Sequence, residues 1–389
     1  MRGRAGTGGR ARGARPARQR GIAIITAMLV VALGTITMVA ITSRQQLDLQ
    51  RERNEGVIQM ARDLATSGER FAAALLYRDR QEALRENTDS LDDDWAQTIP
   101  PVPIDAAAIQ GCIVDLQGHF NLNNLVDAAG NPQAAYVEQL ARLFAGLNIE
   151  ATKVQAVVDW VDADVNALTP DGAEDDYYTG LDPAYRAANR PFASVSELQL
   201  VKGFDPQVEQ EREDYELLVP HLAALPTSGG PTPVNVNTAT PEVISSISDD
   251  YILGGDLSRW DTGAYEDYPE CEDIFDLTAD DGPETLEAER DLQPYLSVEQ
   301  FRQEAAGVAP PESGTPETPT EGRVVDADGN VTTEGVAPPA DAVAMSVSSR
   351  WFEVRIDVIA EGLRLSQFAL LERDDEGRTR IVRRSRDTI

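Results

Sequence analysis

The sequence predicts an α+β fold in which a long N-terminal helix packs on an antiparallel sheet and a large helical domain is inserted into that sheet. Three patterns predict this architecture. Residues 22–41 are uncharged and apolar, strand-like alternation occurs both near residue 112 and after residue 342, and helical spacing of apolar residues occupies the stretch between them. Because the two groups of strands are far apart in the chain, a sheet built from both would enclose the helices as an insert.

An uncharged run of twenty residues, IAIITAMLVVALGTITMVAI, begins at Ile22. In a helix of about 1.5 Å rise per residue, such a run spans roughly 30 Å, the thickness of the hydrocarbon core of a bilayer. Residues 1–21 contain seven arginines and no acidic residue. We therefore expect this arm to stay in the cytoplasm and the chain after about residue 42 to lie across the membrane. A simple single-pass anchor is the generic alternative.

The helix is predicted to continue past the membrane to about residue 85. Small or apolar residues recur every three or four positions, with charged residues between them, as an amphipathic helix requires. They are Val57, Ala61, Leu64, Gly68, Phe71 and Leu75. A coiled-coil stalk is the alternative, but its seam would lack clean heptads.

Gly21 lies between the last arginine of the N-terminal arm and the first residue of the apolar run. This arrangement resembles the class III leader of type IV pilins and pseudopilins. The resemblance implies that a prepilin peptidase cuts between Gly21 and Ile22, and that Ile22 becomes a methylated mature N-terminus. Thr26 is then the fifth mature residue, where most of these proteins carry Glu. Among pseudopilins, that exception belongs to the subunit at the filament tip.

Longer stretches carry a more specific resemblance. A Trp-Ala pair at Trp95 and a proline cluster precede GCIVDLQGHFNLNNLVD, which begins at Gly111. VVDWVDADVNALTPDGAEDDYYTGLDPAYRAANRPFASVSELQLVKGF follows from Val157, and TPVNVNTATPEVI follows from Thr232. Together with the leader, these stretches resemble the general secretion pathway protein K family, which comprises minor pseudopilins of type II secretion systems. The resemblance covers most of residues 20–305 in the same order.

The resemblance implies a pilin-like fold whose inserted domain is similar to two sterile-alpha-motif bundles. It implies a minor pseudopilin that caps the pseudopilus tip with pseudopilins I and J and other pseudopilins, helps to initiate assembly, and so serves the export of folded proteins across the outer membrane. It also implies a single-pass inner-membrane protein with its C-terminal domain in the periplasm. The predicted segments are the leader 1–21, the membrane span 22–41, the helix spine and first strands 42–120, the insert 121–306, a flexible linker 307–341 and the last strands 342–389.

The residues of the insert independently predict helices at 134–147, 152–161 and 195–201. Two echoes in the sequence also suggest an internal repeat. FNLNN from Phe120 resembles VNVNT from Val234, and SVSEL from Ser194 resembles LSVEQ from Leu296. After the linker, residues 342–348, 351–359 and 363–371 alternate in the manner of strands, and residues 378–383 predict a final edge strand.

A dense group of acidic residues predicts a structural calcium site. Asp159 and Asp162 lie three residues apart on one helical face, and the other acids follow in a loop that contains Pro170 and Gly172. Calcium takes six to eight oxygen ligands with tolerant geometry, so carboxylates and loop carbonyls suit it. The resemblance also implies calcium in this domain. The alternative is that these acids cap helices and face water. The predicted ligands are Asp159, Asp162, Asp164, Glu174, Asp175 and Asp176.

Cys112 and Cys271 are the two cysteines of the sequence. In an exported domain they could form a disulfide, which would contribute roughly 4–5 kcal/mol by closing so long a loop. Two separate buried thiols are the alternative.

Two other functions remain open at this stage. A type IV pilus minor pilin would share the leader but lack the long insert. A membrane-anchored helix-hairpin-helix DNA-binding protein would share the VNVNTA segment at Val234, but 66 acidic against 34 basic residues disfavour nucleic acid as a partner. We interpret those asparagines as residues that cap a helix and form hydrogen bonds with backbone polar groups. The sequence contains no phosphate loop, nucleophile elbow or metal-binding His motif, so we predict no catalytic activity.

Overall fold

The computed structural model describes residues 19–81, 87–97, 99–227, 229–248, 294–305, 324–325, 331–332 and 343–386. By its internal contacts the chain forms two units, Met1–Met60 and Ala61–Ile389. Helix α1 (Gln19–Gln81) provides the described residues of the first unit and the first residues of the second. The further helices are α2 (Ala134–Gly146), α3 (Lys153–Val161), α4 (Asp175–Tyr178), α5 (Glu209–Leu218), α6 (Pro241–Ile247) and α7 (Val298–Ala305).

Eleven strands are present in the described part of the chain. In chain order they are β1 (Ile99–Ile104), β2 (Ala107–Asp115), β3 (Phe120–Asn121), β4 (Leu222–Ala223), β5 (Val234–Asn235), β6 (Val324–Val325), β7 (Val331–Thr332), β8 (Met345–Ser346), β9 (Trp351–Ala360), β10 (Leu363–Arg373) and β11 (Thr379–Ser385).

Within the described residues, α1 is the helix that is long and apolar enough to cross a membrane. Its apolar side chains from Ile24 to Ile41 are exposed. The threonines in this run satisfy their hydroxyls inside the helix, as a lipid-facing helix requires. Thr26 donates to the carbonyl of Ala23 at 3.0 Å, for example. These features agree with the predicted single-pass anchor.

The main sheet has the order β1-β2-β9-β10-β11, and all of its neighbouring strands are antiparallel. The central pair joins β2 to β9, with Gly111 opposite Ile356 and Asp115 opposite Phe352. The sheet therefore combines strands from before and after the insert, which confirms the predicted architecture. The proline cluster at residues 100–103 forms the edge strand β1, which the sequence analysis did not anticipate.

Helix α1 packs on this sheet through small residues. Ala61, Ala65 and Ala72 are fully or almost fully buried. At Gly68, a Cβ would come within 2.9 Å of Ile356 Cδ1 and 3.2 Å of Ile109 Cδ1. The absence of side chains on this face lets the helix backbone approach the strands closely.

An ion pair between a buried carboxylate and an exposed arginine fixes the same contact. Glu69 is 1% exposed, and its carboxylate accepts hydrogen bonds from Arg384 at 2.8 Å and from Gln367 at 2.5 Å. These partners come from β11 and β10, so the helix is linked to the two strands at one side of the sheet.

The insert is helical, as predicted, with local differences. Residues 195–201, predicted as a helix, form a 3-10 helix at Val195–Leu200, and the strand predicted at 342–348 is limited to β8. The 3-10 geometry follows from local capping, because Ser194 accepts from the Ser196 N–H and Glu197 accepts from the Ala193 N–H. The proposed likeness to sterile-alpha-motif bundles stays a prediction. The linker predicted at 307–341 lies mostly outside the described residues.

The structure contains the internal repeat that the echoes suggested. β3 pairs in parallel with β4, and β5 pairs in parallel with β8. The second asparagine of each motif binds an aromatic residue in the same way. Asn123 accepts from the Phe192 N–H and donates to the Phe192 carbonyl, and Asn237 makes the same two bonds to Tyr295.

A buried polar network joins the insert to the sheet. Asp115, at the end of β2, accepts hydrogen bonds from Ser349 Oγ at 2.5 Å, Thr238 Oγ1 at 2.6 Å and Asn235 Nδ2 at 2.9 Å. Asp89 accepts from the Ser349 N–H at 2.7 Å and forms an ion pair with Arg373. These contacts hold both ends of the second repeat against the sheet.

Candidate metal centre

Helix α3 and the loop that follows it carry the predicted calcium ligands. Asp159 lies in the last turn of α3, and Asp162 is its C-terminal cap. The Asp159 carboxylate accepts hydrogen bonds from the N–H groups of Leu168 at 3.0 Å and Ala173 at 2.7 Å. Asp159 thereby holds the loop against the helix, and its carboxylate oxygens are occupied by hydrogen bonds from backbone N–H groups.

Gly172 makes this fold of the loop sterically feasible. A Cβ at this position would lie 2.2 Å from Asp159 Oδ2 and 2.4 Å from the Leu168 carbonyl oxygen. Both contacts are far shorter than atoms tolerate, so the loop can close on the Asp159 carboxylate only because residue 172 lacks a side chain.

The folded loop brings three carboxylates together. One oxygen from each of Asp162, Asp164 and Glu174 lies within 4.8 Å of the others. Asp162 and Glu174 are 3% and 5% exposed, and Asp164 is exposed. Both oxygens of Glu174 and Oδ1 of Asp162 are buried without a hydrogen-bond donor among the described residues. Leaving such buried acceptors unsatisfied is costly, so the group is suited to a bound cation.

The electrostatics of the group point the same way. Burial, followed by the charges of Asp159, Asp162 and Asp164, raises the pKa of Glu174 to about 7. Burial and the charges of Asp164 and Asp159 raise the pKa of Asp162 to about 6. A divalent cation among these oxygens would neutralise their mutual repulsion.

The other predicted ligands have different roles. Asp175 accepts from the Ala187 N–H at 3.2 Å and pairs with Arg186 at 3.6 Å. Asp176 is exposed on α4, and the structure brings neither residue into the three-carboxylate group. The oxygen-rich group fits calcium, with Asp162, Asp164 and Glu174 as the residues that would hold it.

Three side chains that the sequence analysis missed position this loop. Asn189 donates to the Asp164 carbonyl at 2.8 Å, Gln155 accepts from the Asp171 N–H at 2.8 Å, and Lys202 donates to the Asp171 carbonyl at 3.1 Å. They come from separate parts of the insert and form no spacing pattern with the acids. Only the fold reveals them.

A second group of three carboxylates was also not predicted. Asp79, Asp89 and Asp93 have oxygens within 4.8 Å of one another. Arg373, which is 2% exposed, reaches Asp79 at 3.1 Å and also pairs with Asp89. This group therefore already contains a buried cation, and we interpret it as a structural ion-pair network.

The remaining predicted site residues stay predictions. Gly21 and Ile22 lie in the first turns of α1, and their side chains are outside the description. Cys112, on β2, is disulfide-bonded. Cys271 lies outside the described residues.

Comparison with known proteins places the chain in a family. The family model described as type II secretion system (T2SS), protein K, matches residues 118–227, which is the first of the two repeats. A type II secretion system protein K from Pseudomonas aeruginosa is 40% identical over 237 residues, which is 59% of this chain and 68% of that protein. The chain belongs to the type II secretion system protein K family. It is a minor pseudopilin.

Other protein K comparisons agree. The Klebsiella pneumoniae relative is 33% identical over 233 residues, with 58% of this chain and 68% of that protein covered. The fold is similar to a chain in the crystal structure of the GspK-GspI-GspJ complex from the enterotoxigenic Escherichia coli Type 2 Secretion System. The TM-score is 0.58 at 22% identity, covering 86% of this chain and 98% of that one. This likeness confirms the pilin-like fold with its helical insert. The family assignment therefore selects the minor pseudopilin over the type IV pilus minor pilin and the DNA-binding protein.

Proposed function

We propose that this protein K caps the tip of a type II secretion pseudopilus and helps to initiate its assembly for the export of folded proteins. The observation that carries this proposal is the insertion of a two-repeat helical domain between β2 and β9 of a pilin-like sheet. A subunit that carries so large an insert leaves little room for another subunit above it. The proposed role is one of assembly and requires no catalytic residue in this chain.

Thr26 supports the tip position. A charged residue inside a membrane is costly and is kept where it serves a function, such as pairing with a neighbouring subunit. The Thr26 hydroxyl is instead satisfied by the Ala23 carbonyl within its own helix. We therefore expect the variant Thr26→Glu, which places a charge at this position while the insert still blocks stacking, to disturb assembly at the tip and reduce secretion. Thr35→Glu, nine residues further along the same helix, is the matched control.

The test of tip capping is complementation of a strain that lacks its own protein K. The measured quantities are exoprotein secretion and pseudopilus length. The full chain and Thr35→Glu should restore secretion, and Thr26→Glu should restore less of it. A chain with α2–α7 removed should not support normal assembly. Normal secretion and filament length without the insert would contradict the proposal.

We further propose that the chain is processed as a prepilin and placed in the inner membrane with residues after α1 in the periplasm. The uncharged segment of α1 and the arginine-rich arm before it support this orientation. The intact mass of the protein from membranes with active prepilin peptidase should correspond to a chain that starts at methylated Ile22. A protein that keeps residues 1–21 despite active peptidase would be a plain membrane anchor.

The proposed partners are the I and J minor pseudopilins, because the solved complex with the similar fold contains GspI and GspJ. We expect the full chain to co-purify with the I and J proteins of its own system after co-expression. A minor pilin of a type IV pilus is the matched control and should not co-purify. Equal recovery of both would argue against specific assembly.

We also propose that calcium binds between Asp162, Asp164 and Glu174. When bound, calcium would supply positive charge that links the end of α3 to the loop before α4. Calcium should raise the thermal midpoint of the full chain relative to a chelator-treated sample. Glu174→Gln should abolish this shift, and Asp176→Asn should keep it. An equal shift in both variants would place the ion elsewhere.

A further inference from the structure

The two edges of the main sheet differ in their capacity to accept another strand. Edge strand β1 contains Pro100, Pro101 and Pro103. Proline has no N–H, so it removes the donors that a partner strand would need. Strand addition at this edge is therefore blocked by the sequence of β1 itself.

The opposite edge is formed by β11, seven residues from Thr379 to Ser385. Among the described residues, β10 is the neighbour of β11, and no strand pairs with its outer side. An exposed edge of this length presents a row of backbone donors and acceptors that can bind an extended peptide.

The charge of this edge is opposite to that of the chain as a whole. Acidic residues outnumber basic ones by 66 to 34 in the sequence. Near β11, however, exposed arginines follow one another closely. They are Arg378, Arg380, Arg384 and Arg386.

Three of these arginines bind acids of the same chain, and Arg378 does so with Asp374 and Glu376 in the turn before β11. Arg380 pairs with Glu372 on β10, and Arg384 pairs with Glu69 on α1. The side chains of Arg380 and Arg384 are still 75% and 52% exposed, so each keeps donors for a ligand at the edge.

We propose that β11 binds an extended acidic segment of a partner protein by strand addition. The arginines of two β11 strands would repel each other and so oppose pairing between two copies of this chain. An acidic strand would instead be attracted to the arginines. The backbone would supply affinity and the arginines would select the partner. This inference concerns a different surface from the insert and does not depend on tip capping.

The β11 strand offers a variant at a residue that stands outside the paired register with β10. The register with β10 passes from Leu370 opposite Arg383 to Leu371 opposite Ile381, so Val382 is a bulge residue without an opposite partner. Val382→Pro would remove the Val382 N–H without removing a paired residue. Arg380→Gln with Arg386→Gln would lower the charge of the edge, and Arg212→Gln on α5 is the control for the loss of an arginine on another surface.

The experiment measures binding of a fluorescent heptapeptide of alternating Glu and Val to the full chain in detergent. A second peptide of the same sequence carries N-methyl groups on every backbone nitrogen, so that neither of its edges can donate to β11, and a third has Lys in place of Glu. We expect the acidic peptide to bind at least tenfold more tightly than either of the other two. Val382→Pro and the double arginine variant should each reduce binding at least tenfold, and Arg212→Gln should not.

The outcomes separate strand addition from other uses of the arginines. Equal binding of the methylated and unmethylated acidic peptides would show adsorption by charge alone and would overturn the proposal. An absence of binding would show that the arginines and the bulge only protect a free edge from self-association, which would also overturn it. Because the peptide comparison uses the unchanged protein, it decides the question even where Val382→Pro fails to fold.

Discussion

The side-chain amide of Asn237 holds the backbone of Tyr295 at both of its polar atoms. Nδ2 donates to the Tyr295 carbonyl at 3.0 Å, and Oδ1 accepts from the Tyr295 N–H at 2.8 Å. Asn123 binds Phe192 through the same two bonds, at 3.0 and 2.6 Å. Only a carboxamide offers a donor and an acceptor at this spacing, which explains why both repeats place Asn here.

Asn123→Asp should therefore destabilise the insert strongly. The substitution keeps the size of the side chain but removes the donor to the Phe192 and Leu225 carbonyls and buries a charge. We expect a loss of about 2–4 kcal/mol in the free energy of unfolding, measured by urea denaturation. Asn148→Asp, at an exposed position, should change it by less than about 0.5 kcal/mol. Similar losses in both variants would contradict the role of the amide.

Arg373→Met tests the buried ion-pair network. Arg373 and Asp89 have side chains that are each 1% exposed, so removing the guanidinium leaves a buried carboxylate uncompensated. The expected cost is about 3–5 kcal/mol. Arg378→Met removes a surface pair whose arginine is 68% exposed and should cost less than about 1 kcal/mol. The addition of Asp89→Asn to Arg373→Met should recover part of the loss, and failure to recover any would argue against charge as the cause.

Gly68 and Gly56 lie in the same helix but in different surroundings. A Cβ at Gly56 would meet nothing within 4 Å, whereas one at Gly68 would meet Ile356 at 2.9 Å. Gly56→Ala should raise the thermal midpoint through helix propensity worth about 1 kcal/mol. Gly68→Ala should gain less or lose stability, because the same propensity is offset by overpacking. Ile356→Val in the Gly68→Ala background should be less harmful than Ile356→Val alone, and strict additivity would disprove the contact.

His119 should make stability depend on pH. Burial, together with the charge of His221, lowers the pKa of His119 to about 4 from an ordinary value of 6.5. Between about pH 6.5 and about pH 4, His119 is protonated in the unfolded chain but not in the native protein. The free energy of unfolding therefore decreases as the pH falls through this window. Asp115, whose pKa burial raises to about 6, acts in the opposite direction below pH 6. The difference between the protein and His119→Asn isolates the histidine, and this difference should shrink with falling pH. A constant difference from pH 7 to pH 4.5 would contradict the assignment.

The sequence predicted the elements whose signals are local or strongly periodic. The apolar run within α1, the alternation of β9 and β10, and the spacing of α2 and α3 each follow from residues that are neighbours along the chain. Strand β1 was not predicted, because its three prolines argue against a strand unless it lies at an edge.

The candidate metal centre was predicted only in part, because only some of its features are local in the sequence. The density of acidic residues indicated the loop. The spacing of these residues does not show that Asp162 and Glu174 keep oxygens without a hydrogen bond, whereas the Asp159 oxygens accept from backbone N–H groups. The Asp79, Asp89 and Asp93 group with Arg373 joins positions that are distant in the sequence, so no local pattern could indicate it.

The pairing of β2 with β9 also sets the order in which the chain can fold. β2 ends at Asp115, but its partner β9 begins only at Trp351. During synthesis, β2 therefore cannot pair with β9 until nearly the whole chain has been made. Closing so long a loop as a flexible chain would be slow and entropically costly. The repeats shorten it, because the bonds from Asp115 to Thr238 and Ser349 bring the far end of the insert back to its start. The native contacts of the insert therefore place β9 beside β2, and we expect the insert to fold before these two strands pair.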